Sequence, residues 1–293
     1  MTARAHRTAA IAALLAGATA IATSALWVKV SETGPVSTAF WRVALALPFL
    51  ALWMALERRH PPAENPAQQR RLLLITGLFF AGDLAVWHWS IVLTSVANST
   101  LLANLAPIFV TLAAWLFFRR TPSGRFLAGL ALAVAGTVLL IGSSFSLQGT
   151  APLGDALGVV TAMFYAGYLL AVTRARAMTS TAVLMVASSV VSAVILLPIA
   201  WLSGELLLPI SAYGWWILIG LALTSQVAGQ SLIAYALAHL PATFSSVALL
   251  FQPVMATLFA WVLFGETLTV TAIIGGIAVL IGIRIAHQAE IAR

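Results

Sequence analysis

The segment STLLANLAPIFVTLAAWLFF at residues 99–118 and the segment SSVALLFQPVMATLFAWVLF at residues 245–264 are two versions of one sequence. When Pro107 is aligned with Pro253, a shift of 146 positions, a serine, a threonine, a tryptophan and a phenylalanine also coincide without gaps. The match continues with Gly129 on Gly275 and Gly136 on Gly282. A duplicated apolar segment in a chain of this size is typical of small membrane transporters that bind their substrate between two repeats.

The composition of the 293-residue chain excludes a soluble protein. Hydrophobic residues make up 61% of it, charged residues only 8%, and the mean hydropathy is +1.02. A soluble domain carries roughly 25% charged residues, so most of this surface must face lipid. The net charge of +7 comes from arginines in short gaps between apolar runs, which favours membrane orientation over nucleic-acid binding. Without cysteine, the chain has no disulfide, thiolate metal site or cysteine nucleophile.

Apolar stretches of about 20 residues recur along the chain and predict ten membrane-spanning helices. The first stretch could be a signal peptide, but it is longer than the roughly 7–15 residues of a signal-peptide core and fits a first span better. The predicted spans are 8–30, 36–56, 72–93, 96–118, 124–143, 153–173, 180–203, 212–237, 242–264 and 269–288. The sequence therefore predicts an all-α polytopic membrane protein without a soluble domain.

The positions of the basic residues predict the orientation of these spans. If the N-terminus is cytoplasmic, thirteen of the 15 basic residues fall on the cytoplasmic side, and Lys29 and Arg42 are the exceptions. The thirteen are Arg4, Arg7, Arg58, Arg59, Arg70, Arg71, Arg119, Arg120, Arg125, Arg174, Arg176, Arg284 and Arg293. Because cytoplasmic loops are enriched in Lys and Arg, both termini are predicted to be cytoplasmic.

Five spans in each copy is an odd number, so the second copy must enter the bilayer from the opposite side. The predicted halves, residues 8–143 and 152–288, are therefore inverted repeats. Two such halves can exchange conformations and open a central cavity to either side in turn.

Several short motifs carry a resemblance to a known family. They are Ala25-Leu26-Trp27-Val28-Lys29-Val30, Phe40-Trp41-Arg42, Gly154-Asp155, Gln252-Pro253 and Gly265-Glu266. Together they resemble the EamA-type branch of the drug/metabolite transporter superfamily over nearly the whole chain, and within it the bacterial amino-acid exporters, including the aromatic amino-acid group. The resemblance implies ten helices in two EamA repeats, an inner-membrane location and export of small metabolites.

The chain departs from the family pattern at two places. The usual Glu-Pro of the ninth span is Gln252-Pro253, and the Gly-Glu after the fourth span is replaced by Arg119-Arg120. The first departure removes an intramembrane carboxylate.

The third span contains the only acidic residue predicted at mid-membrane depth, Asp83. An aspartate there costs about 2.5–3.5 kcal/mol on translocon scales and needs a reason. Trp87 and Ser90 follow on the same helix face, so the three could bind the ammonium and ring of an amino acid. Alternatively, Asp83 ties helices together. His88 points away from Asp83; it is predicted either to act at the cavity, as a proton relay or a hydrogen-bond donor to the substrate, or to be a buried histidine satisfied by a carbonyl.

Other polar and aromatic side chains are predicted to line the cavity, with hydrogen bonding between helices as the alternative. They are Trp27, Thr100, Asn104, Thr161, Tyr165, Tyr168, Gln226, Gln230 and Gln252. Pro107 and Pro253 are predicted to kink their helices at equivalent positions, as cavity lining, as hinges or as packing kinks. Lys29 and Arg42 are predicted near the outer surface, either in an outer gate or in structural contacts there.

These features predict an exporter of amino acids and related metabolites, working as a monomer or homodimer in the lipid bilayer. A multidrug carrier of the same superfamily and a scaffold subunit without transport activity are the alternatives. An enzyme is disfavoured because no paired carboxylates, His/Asp set or phosphate-binding loop is present, and no spacing favours a metal or another cofactor.

Overall fold

The computed structural model describes residues 3–57, 64–94, 96–142, 152–265 and 267–291. Over these residues the chain contains ten helices that are long and apolar enough to cross a membrane. The chain is therefore an all-helical polytopic membrane protein, as predicted. The predicted cytoplasmic residues Arg58, Arg59 and Arg293 and the motif residue Glu266 lie outside the described residues.

The ten helices are named spans 1 to 10 in chain order. Their bounds are His6–Lys29, Pro35–Leu56, Pro66–Leu93, Asn98–Phe118, Gly124–Ile141, Pro152–Ala175, Thr181–Leu202, Ala212–Ala236, Ala242–Leu263 and Val270–Ile291. Span 3 begins about six residues before its predicted start. The reason is local: Asn65 caps the helix by accepting a hydrogen bond from the Gln68 N–H at 3.0 Å, and Pro66 suits a first helical turn.

Five of the spans are interrupted helices. Their segments are Ala3–Ala22 with Ser24–Lys29, Pro35–Ala44 with Leu47–Leu56, Val96–Ala103 with Ala106–Phe118, Ala212–Leu221 with the π-helix Ala222–Gln230 and Ser231–Ala236, and Ala242–Ala248 with Phe251–Phe264. Pro107 and Pro253 lie in the first turn after the breaks in spans 4 and 9. A proline has no N–H to bond to the preceding turn, so each break follows from the sequence.

Contacts between helix ends divide the bundle into two ends. At one end, Gln69 donates to the Met178 carbonyl at 3.1 Å, which joins the start of span 3 to the residues after span 6. At the other end, Thr94 donates to Asp155 at 2.7 Å, which joins the end of span 3 to the start of span 6. The first is called the basic end, and the second is called the opposite end. The described arginines of the basic end are Arg7, Arg70, Arg71, Arg119, Arg120, Arg125, Arg174, Arg176 and Arg284.

Spans 5 and 10 pack along most of their length as an antiparallel pair. A Cβ on Gly129 would lie 2.8 Å from the Gly282 carbonyl oxygen, and one on Gly136 would lie 2.7 Å from that of Gly275. The helices approach this closely because all four positions lack a side chain. Under the 146-residue shift that aligns the two copies, each of these glycines is replaced by a glycine of the other helix.

Candidate functional site

A central cavity of about 160 Å³ lies between spans 1, 2, 3, 4, 6, 8 and 9. It lies toward the opposite end of the bundle, since span 1 contributes its last turns, including Ser24, and span 4 contributes its first turns, including Thr100. Predicted site residues that line it are Asp83, Trp87, Thr100, Asn104, Thr161, Tyr165, Gln230, Gln252 and Pro253, together with Arg42.

Two opposite charges face this cavity. Asp83 projects from the middle of span 3 and Arg42 from the second turn of span 2, and their charges attract each other. Arg42 is buried, with its guanidinium carbon 5.8 Å from the centre of the Phe80 ring. Its Nε is buried and has no hydrogen-bond partner among the described residues, so it lacks the acceptor that a buried donor requires.

The position of Arg42 corrects a prediction. The sequence places Arg42 near the outer surface, but the structure buries it beside the cavity, where it faces Asp83. The long side chain points inward because an acidic partner lies there, rather than extending to water. The signal was present in the sequence: an arginine inside an apolar span is itself a candidate functional residue.

Amides and hydroxyl groups complete the polar wall. Gln252 presents its amide from span 9, beside the Tyr165 hydroxyl of span 6. Asn104 donates to the Thr100 carbonyl at 2.8 Å, which holds its side chain along span 4. Tyr165 contributes an aromatic ring and a hydroxyl group from span 6. The wall can therefore donate hydrogen bonds to a ligand without bringing in a further charge.

A stack of aromatic rings closes the cavity toward the basic end. Tyr168 lies one turn beyond Tyr165 and is 1% exposed, so it is fully buried behind the lining residues. Its ring stacks on Phe80 at 4.8 Å and on Tyr165 at 6.0 Å, and its hydroxyl donates to Gln230 at 3.2 Å. Tyr168, predicted to line the cavity, instead forms the layer beneath its floor.

The π-helical part of span 8 contains two glutamines, Gln226 and Gln230, that were both predicted to line the cavity but have different surroundings. Gln230, at its end, lines the cavity, whereas Gln226 is fully buried and donates to Ser189 of span 7 at 3.1 Å. The interpretation of Gln226 as a bond between helices therefore agrees with its position. Long π-helical segments are rare and often occur at functional sites. Here the segment packs against span 1, where a Cβ on Gly17 would lie 2.8 Å from the Gly229 oxygen.

Three other predicted residues lie outside the cavity lining. The Trp27 indole donates to Thr224 of span 8 at 3.0 Å. Ser90 shares the helix face of Asp83, but it is buried and donates to the Gly154 carbonyl at 2.8 Å, which ties span 3 to span 6. His88 is buried, with its Nδ1 against the Leu84 carbonyl, the structural alternative considered for it. Each makes a packing contact next to the cavity rather than facing it.

Of the remaining gate and hinge candidates, Pro253 lines the cavity, whereas Lys29 and Pro107 do not. Lys29 is exposed at the last residue of span 1, at the opposite end. Pro107 is buried just beyond the break in span 4, whereas Pro253 lines the cavity. Because each break lies at the depth of the cavity, a change in helix angle there would alter the cavity wall.

Comparison with known proteins identifies the family. The EamA-like transporter family matches residues 6–142 and again residues 152–286. The chain belongs to this family. It is therefore a small-molecule transporter of the drug/metabolite transporter type and lies in a membrane. The matches do not bear on the predicted similarity to aromatic amino-acid exporters.

Individual relatives agree with the EamA assignment. The chain is 26% identical over 276 residues to a protein named pseudopaline exporter CntI from Pseudomonas aeruginosa, covering 92% of each chain. It is 24% identical over 269 residues to an uncharacterized transporter of Archaeoglobus fulgidus, covering 89% of this chain and 91% of the relative. One crystal structure, of a protein described without a function, matches with a TM-score of 0.74 at 19% identity and covers 98% of each chain. That likeness shows the fold alone.

Proposed function

We propose that this transporter exports zwitterionic amino acids and related small metabolites, aromatic ones included, across the bacterial inner membrane by alternating access. The observation that carries the proposal is the pair Arg42 and Asp83, two opposite charges in the wall of one small cavity. Buried charges are retained at a cost, and in membrane spans they mark substrate pathways.

The carboxylate of the substrate is assigned to Arg42 and Gln252. The Arg42 Nε is a buried donor without a partner among the described residues, and the Gln252 amide is a second donor, beside the Tyr165 hydroxyl. A guanidinium matches the planar geometry of a carboxylate, and charge-assisted hydrogen bonds are about twice as strong as neutral ones.

The ammonium and the side chain of the substrate are assigned to Asp83 and its aromatic neighbours. Asp83 offers the negative charge, and Trp87 lies one turn away on the same face of span 3. Trp87 and Tyr165 can contact a cation or an aromatic ring. An amino acid offers the cavity both of the charges that its wall complements.

The size and charge of the cavity favour small metabolites over other substrates of the superfamily. Drug-sized ligands occupy pockets of about 300–1,000 Å³, whereas this cavity measures about 160 Å³. Among the described residues, Arg42 is the single cationic residue that lines it, which disfavours polyanions such as nucleotide sugars. The multidrug alternative is therefore the weaker one.

Alternating access is supported by the relation between spans 5 and 10. Their antiparallel crossing, in which equivalent glycines exchange places, is what inverted repeats require. The position of the cavity toward the opposite end, with the Tyr168 stack beneath it, fits an outward-facing conformation. Inward opening would then require the stack to separate.

Transport by purified protein in liposomes tests the proposal directly. The panel contains phenylalanine, the amine phenethylamine, which lacks the carboxylate, and phenylpropionate, which lacks the ammonium. We expect phenylalanine to be transported about tenfold better than either analogue, since each loses one charge-assisted contact of about 1.5–3 kcal/mol. Equal rates for all three would contradict recognition of a zwitterion, and no transport of any amino acid would favour a scaffold.

Charge variants assign the two contacts. Asp83→Asn should remove the advantage of phenylalanine over phenylpropionate, and Arg42→Gln should remove its advantage over phenethylamine. Gln226→Leu serves as the control, because it removes a polar side chain inside the membrane that does not line the cavity. If both charge variants lost all substrates equally, their role would be structural. Repeating the assay with and without a pH gradient separates proton exchange from facilitated transport.

The orientation can be tested because the chain has no cysteine of its own. Leu208→Cys lies at the opposite end and Arg120→Cys at the basic end, and both positions are exposed. A membrane-impermeant maleimide should label Leu208→Cys in intact cells and Arg120→Cys only after permeabilisation. The reverse pattern would overturn the direction of export.

A further inference from the structure

A second cavity, of about 530 Å³, opens on the outside of the bundle between spans 3, 4 and 6. Small residues of spans 4 and 6, including Ala113 and Gly167, form its floor, and larger apolar side chains form its walls. Its mouth carries Leu116 at 57% exposure and Phe117 at 77% exposure, which in this membrane protein face the hydrocarbon of the bilayer. This cavity is called the lateral groove.

The length of the lateral groove matches one leaflet. Along span 6 its lining runs from Met163 to Arg174, about 16 Å of helix at 1.5 Å per residue. The hydrocarbon core of a bilayer is about 30 Å thick. The groove therefore extends from near the middle of the membrane to the basic end.

The polar end of the groove is strongly cationic. Arg174 belongs to its lining, with the guanidinium carbon 4.2 Å from the centre of the Phe118 ring. Arg119 and Arg120 follow Phe118 directly. In span 3, Arg70 and Arg71 immediately precede Leu72, the first residue of that span that lines the groove. All five arginines are exposed, so their charges are available to a ligand in the headgroup region.

Backbone geometry adds an independent observation at this end. Arg119 has a φ of 51°, in the left-handed region, whereas Gly265 has a φ of 66° at the equivalent helix end of the second copy. A non-glycine residue in this conformation is strained, and such strain occurs at functional positions. An arginine stands here although glycine would fit the backbone better.

We propose that the lateral groove binds one anionic glycerophospholipid from the leaflet at the basic end. One acyl chain lies in the groove, against the walls from Met163 to Phe117, and the phosphate lies between Arg174 and Arg119. Charge complementarity distinguishes this occupant from a zwitterionic lipid, and the groove length distinguishes it from a transmembrane partner. This site is separate from the central cavity. Spans 3, 4 and 6 line both, but they face the central cavity with other residues.

Native mass spectrometry of the purified protein tests the proposal with phosphatidylglycerol and phosphatidylcholine of matched acyl chains. We expect about tenfold greater retention of phosphatidylglycerol than of phosphatidylcholine, which is the difference in affinity that one charge-assisted hydrogen bond provides. Arg174→Gln should reduce this preference several-fold. Arg125→Gln is the matched control, because Arg125 is an exposed arginine of the same end that bonds to Gln288 outside the groove. Equal retention of the two lipids, or equal effects of both variants, would overturn the proposal.

A filled groove tests the acyl-chain contact separately. Ala113→Phe should lower the retention of both lipids, whereas Val194→Phe, a lipid-facing change on span 7, should not. Leu116→Trp at the mouth of the groove provides a second variant if Ala113→Phe does not fold. Unchanged retention in a folded groove variant would contradict the proposal. If the protein instead had the native mass of a lipid-free dimer, and Ala113→Phe had the mass of a monomer, the groove would bind a second copy of the protein rather than a lipid.

Discussion

The two ends of the bundle hold their helices together in different ways. At the opposite end, a carboxylate of each half of the chain accepts hydrogen bonds from two backbone N–H groups of the other half. Glu205, after span 7, accepts hydrogen bonds from the backbone N–H groups of Val36 and Ser37, at 2.9 and 3.2 Å, at the start of span 2. Glu32, before span 2, accepts those of Ile210 and Ser211, at 2.9 and 3.0 Å, just before span 8, whose first turn is capped by Ser211 itself.

At the basic end, the helix starts are capped by their own residues. Asn65 accepts from Gln68 at 3.0 Å and Ser180 accepts from Val183 at 3.2 Å, both within one half of the chain. The carboxylate that crosses between halves, Glu57, accepts a hydrogen bond from the Ser180 hydroxyl, at 2.5 Å, and attracts Arg176, but it caps no helix start among the described residues.

This difference indicates how much it costs to separate the halves at each end. The first N–H groups of a helix have no partner within it and need one from outside. Separation at the opposite end would expose such groups on span 2, together with the two N–H groups just before span 8, whereas separation at the basic end would leave spans 3 and 7 capped. We therefore expect the contacts of spans 2, 7 and 8 at the opposite end to persist through the transport cycle.

The largest expected effect comes from breaking a cap shared between halves. Glu205→Ala leaves two backbone donors without their carboxylate, and each unsatisfied donor costs about 1–3 kcal/mol, toward the lower figure where water can enter. Glu57→Ala removes one hydroxyl contact at a partly exposed site and should cost less than about 1 kcal/mol. Thermal unfolding in detergent should therefore show a clearly larger loss for Glu205→Ala.

Two further variants control this comparison. Glu205→Gln keeps an oxygen acceptor and should recover part of the loss. Gly34→Ala should resemble Glu205→Ala, because a Cβ on Gly34 would lie 2.3 Å from the Glu205 carboxylate oxygen and displace it. Equal losses for Glu205→Ala and Glu57→Ala would remove the distinction between the ends.

The fold was predictable from the sequence because hydropathy and charge act over whole segments. Twenty apolar residues must form a helix in lipid, whatever the neighbouring helices do, and all ten predicted spans are present. The breaks in spans 4 and 9 were predictable for the same local reason, since Pro107 and Pro253 cannot donate a backbone hydrogen bond. Inverted topology remains a prediction that the glycine crossing supports.

The site was less predictable because it depends on which side chains meet. Helix periodicity assigns Ser90 to the face of Asp83, but the Gly154 carbonyl lies close enough to take its hydrogen bond. Arg42 was predicted at the surface because its acidic partner lies on another span, which the sequence of span 2 does not indicate. The reciprocal caps by Glu32 and Glu205 join loops far apart in sequence, and no local pattern marks them.

A smaller effect is expected where the two copies differ at one helix end. Arg119 at the basic end and Gly265 at the opposite end adopt the same left-handed conformation. That conformation costs a non-glycine residue about 1–2 kcal/mol, partly offset by the greater freedom of glycine in the unfolded chain. Arg119→Gly should therefore stabilise the protein by about 0.5–1 kcal/mol, and Gly265→Ala, which meets no neighbouring atom within 4 Å, should destabilise it by a similar amount.

The control for this pair is Arg120→Gln, which removes an adjacent charge without changing the backbone requirement. If Arg120→Gln stabilised the protein as much as Arg119→Gly, charge repulsion would be the cause, rather than backbone strain. The lipid proposal adds a second readout, because Arg119→Gly should gain stability in detergent and lose preference for phosphatidylglycerol.

The smallest effect concerns the acid stability of the opposite end. The Ser211 hydroxyl, at 2.5 Å, and the backbone N–H groups of Ser211 and Ile210 hold the pKa of Glu32 below its usual value of 4.5. Because the folded pKa is the lower one, the stabilisation by Glu32 is present above pH 4.5 and is lost as the pH falls through the folded pKa.

Unfolding temperatures measured in detergent between pH 3 and pH 7 should therefore fall less steeply in acid for Glu32→Gln than for the wild type. Ser211→Ala removes the largest contribution to the lowered pKa and should move the start of the acid loss toward higher pH. Since Glu32 is only partly buried, solvent screens its interactions and the change in slope should be modest. Identical acid profiles for all three proteins would show that Glu32 holds span 8 without any dependence on its charge, as a neutral acceptor could.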